Sequence, residues 1–172
     1  LASNPSPVIQ EDGSVMMIFK GRAHTENGKY SDMALGIAYA PNIEGPYTVL
    51  NNDQPIFQVD GQGEAEDPFL WKDFKGYHAI FKDHVAKYTG ERGGGVMAHS
   101  TDGVHWTVDK DPKAYSRAVE WEDGKVEMQG QLERPFLFFE NGKATHAFFA
   151  TMDGPGGFEN ATKSWNMVIP LK

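Results

Sequence analysis

Acidic residues stand beside a proline at two places in the sequence, Glu66-Asp67-Pro68 and Glu133-Arg134-Pro135. Two carboxyl groups that face each other across a cavity can act as general acid and base, because burial and neighbouring charge keep one protonated while the other stays ionised. The alternative is that these residues only mark the starts of strands, where proline is common. The sequence context of the two sites favours the first interpretation.

Both sites open a segment that occurs three times in the chain. Each copy contains a proline, an apolar strand, a tight turn and a second apolar or aromatic strand, and the copies cover residues 4–21, 67–83 and 134–151. The prolines (Pro5, Pro68 and Pro135) recur roughly every 65 residues, and a long repeat with an internal hairpin is typical of a β-propeller blade. In the first copy, Asn4 stands immediately before the proline.

Further strands are predicted after each hairpin, at residues 33–39 and 46–50, at 95–100 and 104–108, and at 164–171. The sequence therefore predicts an all-β protein with blades of four antiparallel strands, divided into repeats at 1–62, 63–129 and 130–172. The third repeat is short, so we count two and a half to three blades, too few to close a ring. Turn dipeptides separate the strands: Asp12-Gly13, Asn27-Gly28, Asp60-Gly61, Asp102-Gly103, Asp123-Gly124, Asn141-Gly142 and Asp153-Gly154.

Composition excludes several functions. The 172 residues carry a net charge of −8 and no cysteine, which excludes disulfides, thiolate nucleophiles and cysteine-bound zinc. No cluster of Lys and Arg suits nucleic acid, and no apolar run reaches the roughly 18 residues of a membrane span. A neutral or weakly charged substrate such as a sugar remains compatible with this composition.

The first strand of each blade lies nearest the axis of a propeller, so residues at the same end of the first strands should meet in one pocket. Residues at the ends of the second strands could bind sugar hydroxyls nearby, and Trp71, Trp106 and Trp165 could stack on sugar rings, although tryptophans more often pack between blades. The predicted site residues are Asn4, Glu66, Asp67, Glu133 and Arg134 from first strands, with Lys20, Arg22, Asp83 and His84 from second strands.

The blade openings NPSPVI, EDPFLW and ERPFLF resemble those of the five-bladed propeller glycoside hydrolases of family 43 and related families 32, 62, 68 and 117. The resemblance spans essentially the whole chain and implies that the chain supplies the C-terminal portion of a five-bladed propeller. It implies that Glu133 is the general acid and that Asp67 modulates its pKa. The base aspartate of the family does not carry over, because Asn4 occupies the aligned place, so we expect the base upstream of Leu1.

The resemblance implies general acid–base hydrolysis, with inversion, of a glycosidic bond in a plant or algal oligo- or polysaccharide. It implies no cofactor, although some relatives hold a structural calcium ion, and an extracellular or periplasmic location. The partners would be the carbohydrate and the missing blades, supplied by an upstream segment, a second chain or other subunits. We expect a fragment or a split chain that is inactive alone. The alternatives are a carbohydrate-binding propeller without catalysis and a structural or protein-binding propeller.

Overall fold

The computed structural model describes residues 2–50, 54–57 and 64–171 of the chain. In these ranges there are thirteen β-strands, one 3₁₀ turn at Phe158–Asn160 and no α-helix, which confirms the predicted all-β class. None of the described residues forms a helix long and apolar enough to cross a membrane. The predicted turn Asp60-Gly61 and the repeat boundary after residue 62 lie outside the described residues.

The first sheet contains four antiparallel strands that pair in sequence order. They are β1 (Ala2–Ile9), β2 (Val15–Gly21), β3 (Ala34–Ala40) and β4 (Thr48–Val49). This order confirms the predicted blade layout, in which each strand follows its neighbour through a turn.

The second sheet repeats this layout with β5 (Ala65–Asp73), β6 (Gly76–Asp83), β7 (Gly95–Ser100) and β8 (Thr107–Tyr115). The last strand begins three residues later than predicted and extends much further. The delay has a local cause: Asp102 Oδ1 accepts hydrogen bonds from the backbone N–H groups of residues 104 and 105, which holds them in a turn.

A hairpin that the sequence did not predict precedes the third sheet. It pairs β9 (Ala118–Glu120) with β10 (Val126–Met128), and strands of three residues are too short to show a hydrophobic period. The third sheet then contains β11 (Gln131–Glu140), β12 (Lys143–Met152) and β13 (Ser164–Pro170), as predicted.

Every first strand contains a bulge at its proline. The pairing of β1, β5 and β11 with the next strand shifts register there, and the residue before proline has a positive φ: 53° at Asn4, 51° at Asp67 and 55° at Arg134. A left-handed conformation costs roughly 1–2 kcal/mol for residues other than glycine. Bulges redirect side chains and are common beside functional sites, so the three bulges place equivalent side chains at equivalent points.

Two apolar cores support this arrangement. The larger lies between the first two sheets and includes the fully buried Ile18, Ile37 and Phe81. The smaller joins the third sheet to β9 and includes Leu132 and Phe149. Strand β5 contacts both β1 and β11, so the bulged strands of the three blades lie side by side, as first strands around a common axis do.

Candidate active site

Asp67 lies at the centre of the predicted site and binds its counterparts in both neighbouring blades. Asn4 Nδ2 donates a hydrogen bond to Oδ1 of Asp67, and the backbone N–H of Arg134 donates one of 3.1 Å to Oδ2. Arg134 Nε also lies 3.2 Å from Oδ1. Because Asp67 is only 2% exposed, these contacts fix the orientation of its carboxylate. The structure thus brings together three residues that the proline alignment predicted to meet.

The residues that precede Asn4, Asp67 and Arg134 each pair with a residue on the second strand of their own blade. The register of the sheets places Ser3 opposite Lys20, Glu66 opposite Lys82, and Glu133 opposite Ala150. The first two blades therefore carry a lysine at the same place, and the last two carry a glutamate at the same place.

Each lysine reaches the glutamate of the next blade. Lys20 Nζ lies 3.2 Å from Oε2 of Glu66, and Lys82 Nζ lies 2.7 Å from Oε1 of Glu133. Lys82 also lies 2.7 Å from Oε1 of Glu66, directly opposite in its own blade. Lys82 is 3% exposed, so its charge is compensated by two carboxylates rather than by water. We call Glu66, Asp67, Lys82 and Glu133 the carboxylate–lysine cluster.

The environment of the cluster separates the acidities of its two glutamates. Burial, a hydrogen bond to Asp67 and the negative charge of Asp67 raise the pKa of Glu133 to about 7, against the opposing effect of Lys82. Burial alone would also raise the pKa of Glu66, but the hydrogen bond from His84 and the charge of Lys82 hold it well below its usual range. Near neutral pH one carboxyl group can therefore be protonated while the other is ionised, the condition for acid–base chemistry.

Lys82 keeps its charge in spite of its burial. Desolvation favours the neutral amine, but the negative charges of Glu133 and Glu66 outweigh it and raise the pKa of Lys82. Lys82 was not among the predicted site residues. The signal that could have found it is the repeated Ile-Phe-Lys of the second strands, since Lys82 matches Lys20, which we did predict near the site.

A second group of charges forms a rim beside Glu66. His84 Nδ1 lies 3.1 Å from Oε1 of Glu66, and His84 Nε2 lies 3.6 Å from Oε2 of Glu64. Arg22 Nη2 donates a 3.3 Å hydrogen bond to Oε1 of Glu64. Arg22 and His84 thus lie near the cluster as predicted, joined by Glu64, a residue that the sequence analysis missed.

Asp83 has a different environment from the one we predicted. It is fully buried, and its carboxylate accepts hydrogen bonds of 2.8–2.9 Å from the backbone N–H groups of Lys87, Tyr88 and Thr89, and one from the Thr89 hydroxyl. These four hydrogen bonds connect the carboxylate to the loop that follows β6 and use its acceptor positions. We therefore assign Asp83 to the structure of this loop rather than to substrate binding.

Tyr115 is a buried neighbour of the cluster that the sequence analysis missed. Burial, followed by the negative charges of Asp67, Glu133 and Glu66, raises its pKa well above the usual value, so the phenol stays neutral. Its hydroxyl finds no hydrogen-bond partner among the described residues. Tyr115 pairs with Gly95 across β7 and β8, and the missing side chain of Gly95 leaves space for the ring.

A cleft of about 410 Å³ opens beside the cluster and is lined in part by Glu133, Arg134, Phe158 and Trp165. Trp165 is 38% exposed there and could stack on a sugar ring. The other two candidate tryptophans pack against protein groups: Trp71 stacks on His78 and contacts the ring of Phe139 in the third sheet, and Trp106 donates a hydrogen bond to the carbonyl of Gly103. A larger cavity of about 700 Å³ lies between the β9–β10 hairpin and β13, but no member of the cluster lines it.

We found no candidate metal centre in the part of the chain that the structure describes. There, no three His, Asp or Glu side chains lie together in a way that could hold a metal ion. The structural calcium of some relatives therefore has no assigned site among the described residues.

No protein-family model matches the sequence, and no curated protein matches it. Solved structures do share its fold. A protein titled "Glycoside hydrolase" superposes with a TM-score of 0.67 at 10% identity, over 99% of this chain and 46% of that chain. The protein BT0996, in a structure titled as an RGII complex, gives a TM-score of 0.67 at 11% identity, over 99% of this chain and 46% of its own.

A Bombyx mori GH32 β-fructofuranosidase in complex with sucrose gives a TM-score of 0.54 at 16% identity, over 95% of this chain and 32% of that chain. The chain thus spans less than half the length of these neighbours. At such low identities the likeness shows the fold alone.

Proposed function

We propose that the chain forms part of the active site of a glycoside hydrolase in which Glu133 donates a proton to the departing oxygen of a glycosidic bond. The observation that carries this proposal is the environment of Glu133: a buried carboxyl group with a pKa of about 7, at the edge of an open cleft. A general acid works best when its pKa lies near the operating pH.

Asp67 supports Glu133 without reaching the substrate itself. Its negative charge and hydrogen bond favour the protonated form of Glu133, while Asn4 and Arg134 hold its own two oxygens. This is the role that the family resemblance implies for Asp67. The arrangement supports the carry-over from five-bladed, family-43-like enzymes, which stays part of the proposal.

The substrate would be a carbohydrate of plant or algal origin, bound in the cleft beside Glu133. Trp165 offers an aromatic face for a sugar ring, and the guanidinium of Arg134, 63% exposed, offers donors for hydroxyl groups. The net charge of −8 agrees with a neutral substrate better than with a polyanion.

Further blades would complete this site. The third sheet exposes large apolar side chains to a degree that is unusual for a finished sheet: Phe136 is 51% exposed, Phe138 45% and Val168 50%. We propose that blades from an upstream segment or a second chain cover them. The intact mass of every polypeptide in the purified protein tests this idea, because a single 172-residue species that stays monomeric would contradict it.

The proposed acid is tested with Glu133→Gln in the intact protein. Glutamine keeps the shape of the side chain but has no acidic proton, so hydrolysis of glycosides with poor leaving groups should fall about 10²–10⁴-fold. Substrates with acidic leaving groups such as 2,4-dinitrophenol need less proton donation, so the rate of their hydrolysis should fall less. Glu127→Gln, the same change at an exposed position on β10, is the control. Full activity of Glu133→Gln on alkyl glycosides would end the assignment.

A carbohydrate-binding propeller without catalysis is the second candidate. It is favoured by Asn4, whose amide cannot remove a proton from water and occupies the place of the family's base aspartate. This candidate predicts that the intact protein binds oligosaccharides in calorimetric titration but releases no reducing sugar.

A further inference from the structure

Arg134 is anchored beside Glu133 at one end of its guanidinium. Its backbone N–H donates a 3.1 Å hydrogen bond to Oδ2 of Asp67, and its Nε atom lies 3.2 Å from Oδ1 of the same carboxylate. The side chain of Asp67 is 1% exposed and also accepts a hydrogen bond from Asn4. Because the main chain and the side chain of Arg134 both contact one buried carboxylate, the position of the guanidinium is set before any ligand arrives.

The other end of the guanidinium is open to a ligand. The side chain of Arg134 is 63% exposed, and its Nη1 and Nη2 atoms make no hydrogen bond or ion pair with the residues that the structure describes. These two nitrogens carry four of the five N–H groups of an arginine side chain. Together they form an edge that can donate two parallel hydrogen bonds to the two oxygens of one carboxylate.

Arg134 is also the cation of the cleft of about 410 Å³ that contains Glu133. Among the described residues that line this cleft, it is the only lysine or arginine, and Glu133 is the only acidic residue. The other lining side chains are apolar or neutral and polar, including Trp165 and Asn166. When Glu133 holds the proton that it donates, the guanidinium is therefore the one formal charge on the wall of the cleft.

The charges behind the wall have the same net sign. Contacts connect Glu133, directly or through one neighbour, to three cations and two anions, namely Lys20, Lys82 and Arg134 against Glu66 and Asp67. His84 can only add positive charge, and Arg22 and Glu64 at the rim compensate each other. A positive site attracts an anionic group of the substrate and disfavours a substrate that lacks one.

The charge of the whole chain limits how many acidic groups the substrate carries. A net charge of −8 repels a polymer with a carboxylate on every sugar. A cleft of about 410 Å³ is at the small end of the roughly 300–1,000 Å³ of ligand pockets, so it holds only the sugars next to the cleaved bond. The site and the surface together favour one acidic sugar at the cleft in an otherwise neutral carbohydrate.

We infer that the proposed hydrolase cleaves glycosides that carry a carboxylate, that is, glycosidic bonds of a uronic acid, and that the Nη1–Nη2 edge of Arg134 binds this carboxylate beside Glu133. The inference rests on the proposed function and narrows its substrate class. Arg134 then selects the substrate, whereas proton donation stays with Glu133. A pair of sugar hydroxyls also accepts hydrogen bonds from a guanidinium, but hydroxyls leave the positive charge of the site uncompensated.

The first test compares substrates that differ only in the carboxylate, with the intact purified protein. The pairs are 4-nitrophenyl glucuronide with glucoside, and galacturonide with galactoside, in both anomeric forms. Plant and algal oligosaccharides that contain uronic acids are added before and after carboxyl reduction, which converts each uronic acid into the neutral sugar. We expect kcat/KM to be about 10–10²-fold higher for the acidic member of the pair that fits, the effect of charge-assisted hydrogen bonds.

The second test removes the fork. Arg134→Gln should reduce the preference for the acidic member to nearly one, and Arg134→Lys, which keeps the charge but loses the paired donors, should retain part of it. Arg134 also contacts Asp67, so either change can slow both members of a pair, and the ratio of their kcat/KM values cancels this common effect. Arg92→Gln, at an exposed arginine, is the control and should leave the ratio unchanged.

The outcomes separate the inference from the proposed function. Equal kcat/KM for acidic and neutral members in the unaltered protein, or a preference that survives in Arg134→Gln, would overturn the role of Arg134 and leave the glycosidase in place. An absence of hydrolysis across every pair and every oligosaccharide would overturn the proposed function, and the inference with it. The comparison in the unaltered protein stands even where a variant does not fold.

Discussion

The backbone N–H of Arg134 donates a 3.1 Å hydrogen bond to the side chain of Asp67, its counterpart in the preceding blade. Asp67 also accepts a hydrogen bond from the side chain of Asn4, its counterpart in the first blade. A left-handed φ at all three residues turns them towards one another. The recurring prolines therefore mark the contact point of the blades as well as the starts of strands.

This contact predicts how Asp67 acts on its neighbour. Replacing Asp67 by Asn removes the negative charge that raises the pKa of Glu133, so that pKa should fall. The alkaline limb of the pH profile of kcat/KM should then move to lower pH, and activity at pH 7 should decrease. Asp109→Asn, a change at an exposed pair with His99, should leave the limb in place. An unmoved limb in Asp67→Asn would exclude coupling between the two carboxyl groups.

The unaltered protein should lose activity as the pH rises through about 7, because Glu133 must be protonated to donate. The charged groups that act on Glu133 are Asp67, which raises its pKa, and Lys82, which opposes that rise. The pH dependence of kcat/KM measures this alkaline limb.

Lys82 should matter for stability as well as for chemistry. Lys82→Met leaves two buried carboxyl groups without their shared cation, and breaking such a buried pair typically costs about 3–5 kcal/mol. The loss should be larger at pH 7 than at pH 5, because carboxylates that have lost their cation are protonated more readily at the lower pH.

Lys20→Met is the matched control for this change, since Lys20 contacts only Glu66 in the cluster, at 3.2 Å, and is less buried. Its effect on urea unfolding should be clearly smaller. Equal losses in the two variants, or a loss in Lys82→Met that does not depend on pH, would contradict the role of Lys82 as a bridge.

Much of this architecture was predictable from the sequence because it repeats. The prolines at residues 5, 68 and 135 and the turns between strands indicated the hairpins, and proline alignment predicted the meeting of Asn4, Asp67 and Arg134. Lys82 was harder to predict, since nothing in a strand pattern tells whether a lysine points to solvent or to two carboxylates. Only the alignment of Lys82 with Lys20, in the repeated Ile-Phe-Lys of the second strands, indicated that Lys82 lies near the site.

Other features depend on contacts between distant residues and leave no local trace. Tyr115 reaches the cluster because β8 continues beyond its predicted end and Gly95 leaves space opposite. Asp83 and His84 are neighbours in sequence, yet one binds the backbone of a loop and the other binds Glu66. Position at a strand end could not separate these two roles.

The structural role of Asp83 can be tested directly. Asp83→Asn replaces a charged acceptor of three backbone N–H groups by an amide, and the loss of such buried, charge-assisted bonds should lower the free energy of unfolding by about 2–4 kcal/mol. Asp109→Asn should change it little, since that carboxylate is exposed. Unchanged stability with a raised KM would instead return Asp83 to the substrate site.

The space opposite Tyr115 gives the last prediction. A side chain at Gly95 would clash with the aromatic ring, so Gly95→Ala must displace Tyr115 from beside the carboxylates or strain the pairing of β7 and β8. Overpacking of this kind costs about 1–3 kcal/mol, and thermal unfolding measures it. Gly21→Ala is the control, because its nearest neighbour would lie 3.9 Å away, an ordinary contact. If Gly95→Ala were as stable as Gly21→Ala, with the pH profile unchanged, Tyr115 would have no part in holding the cluster.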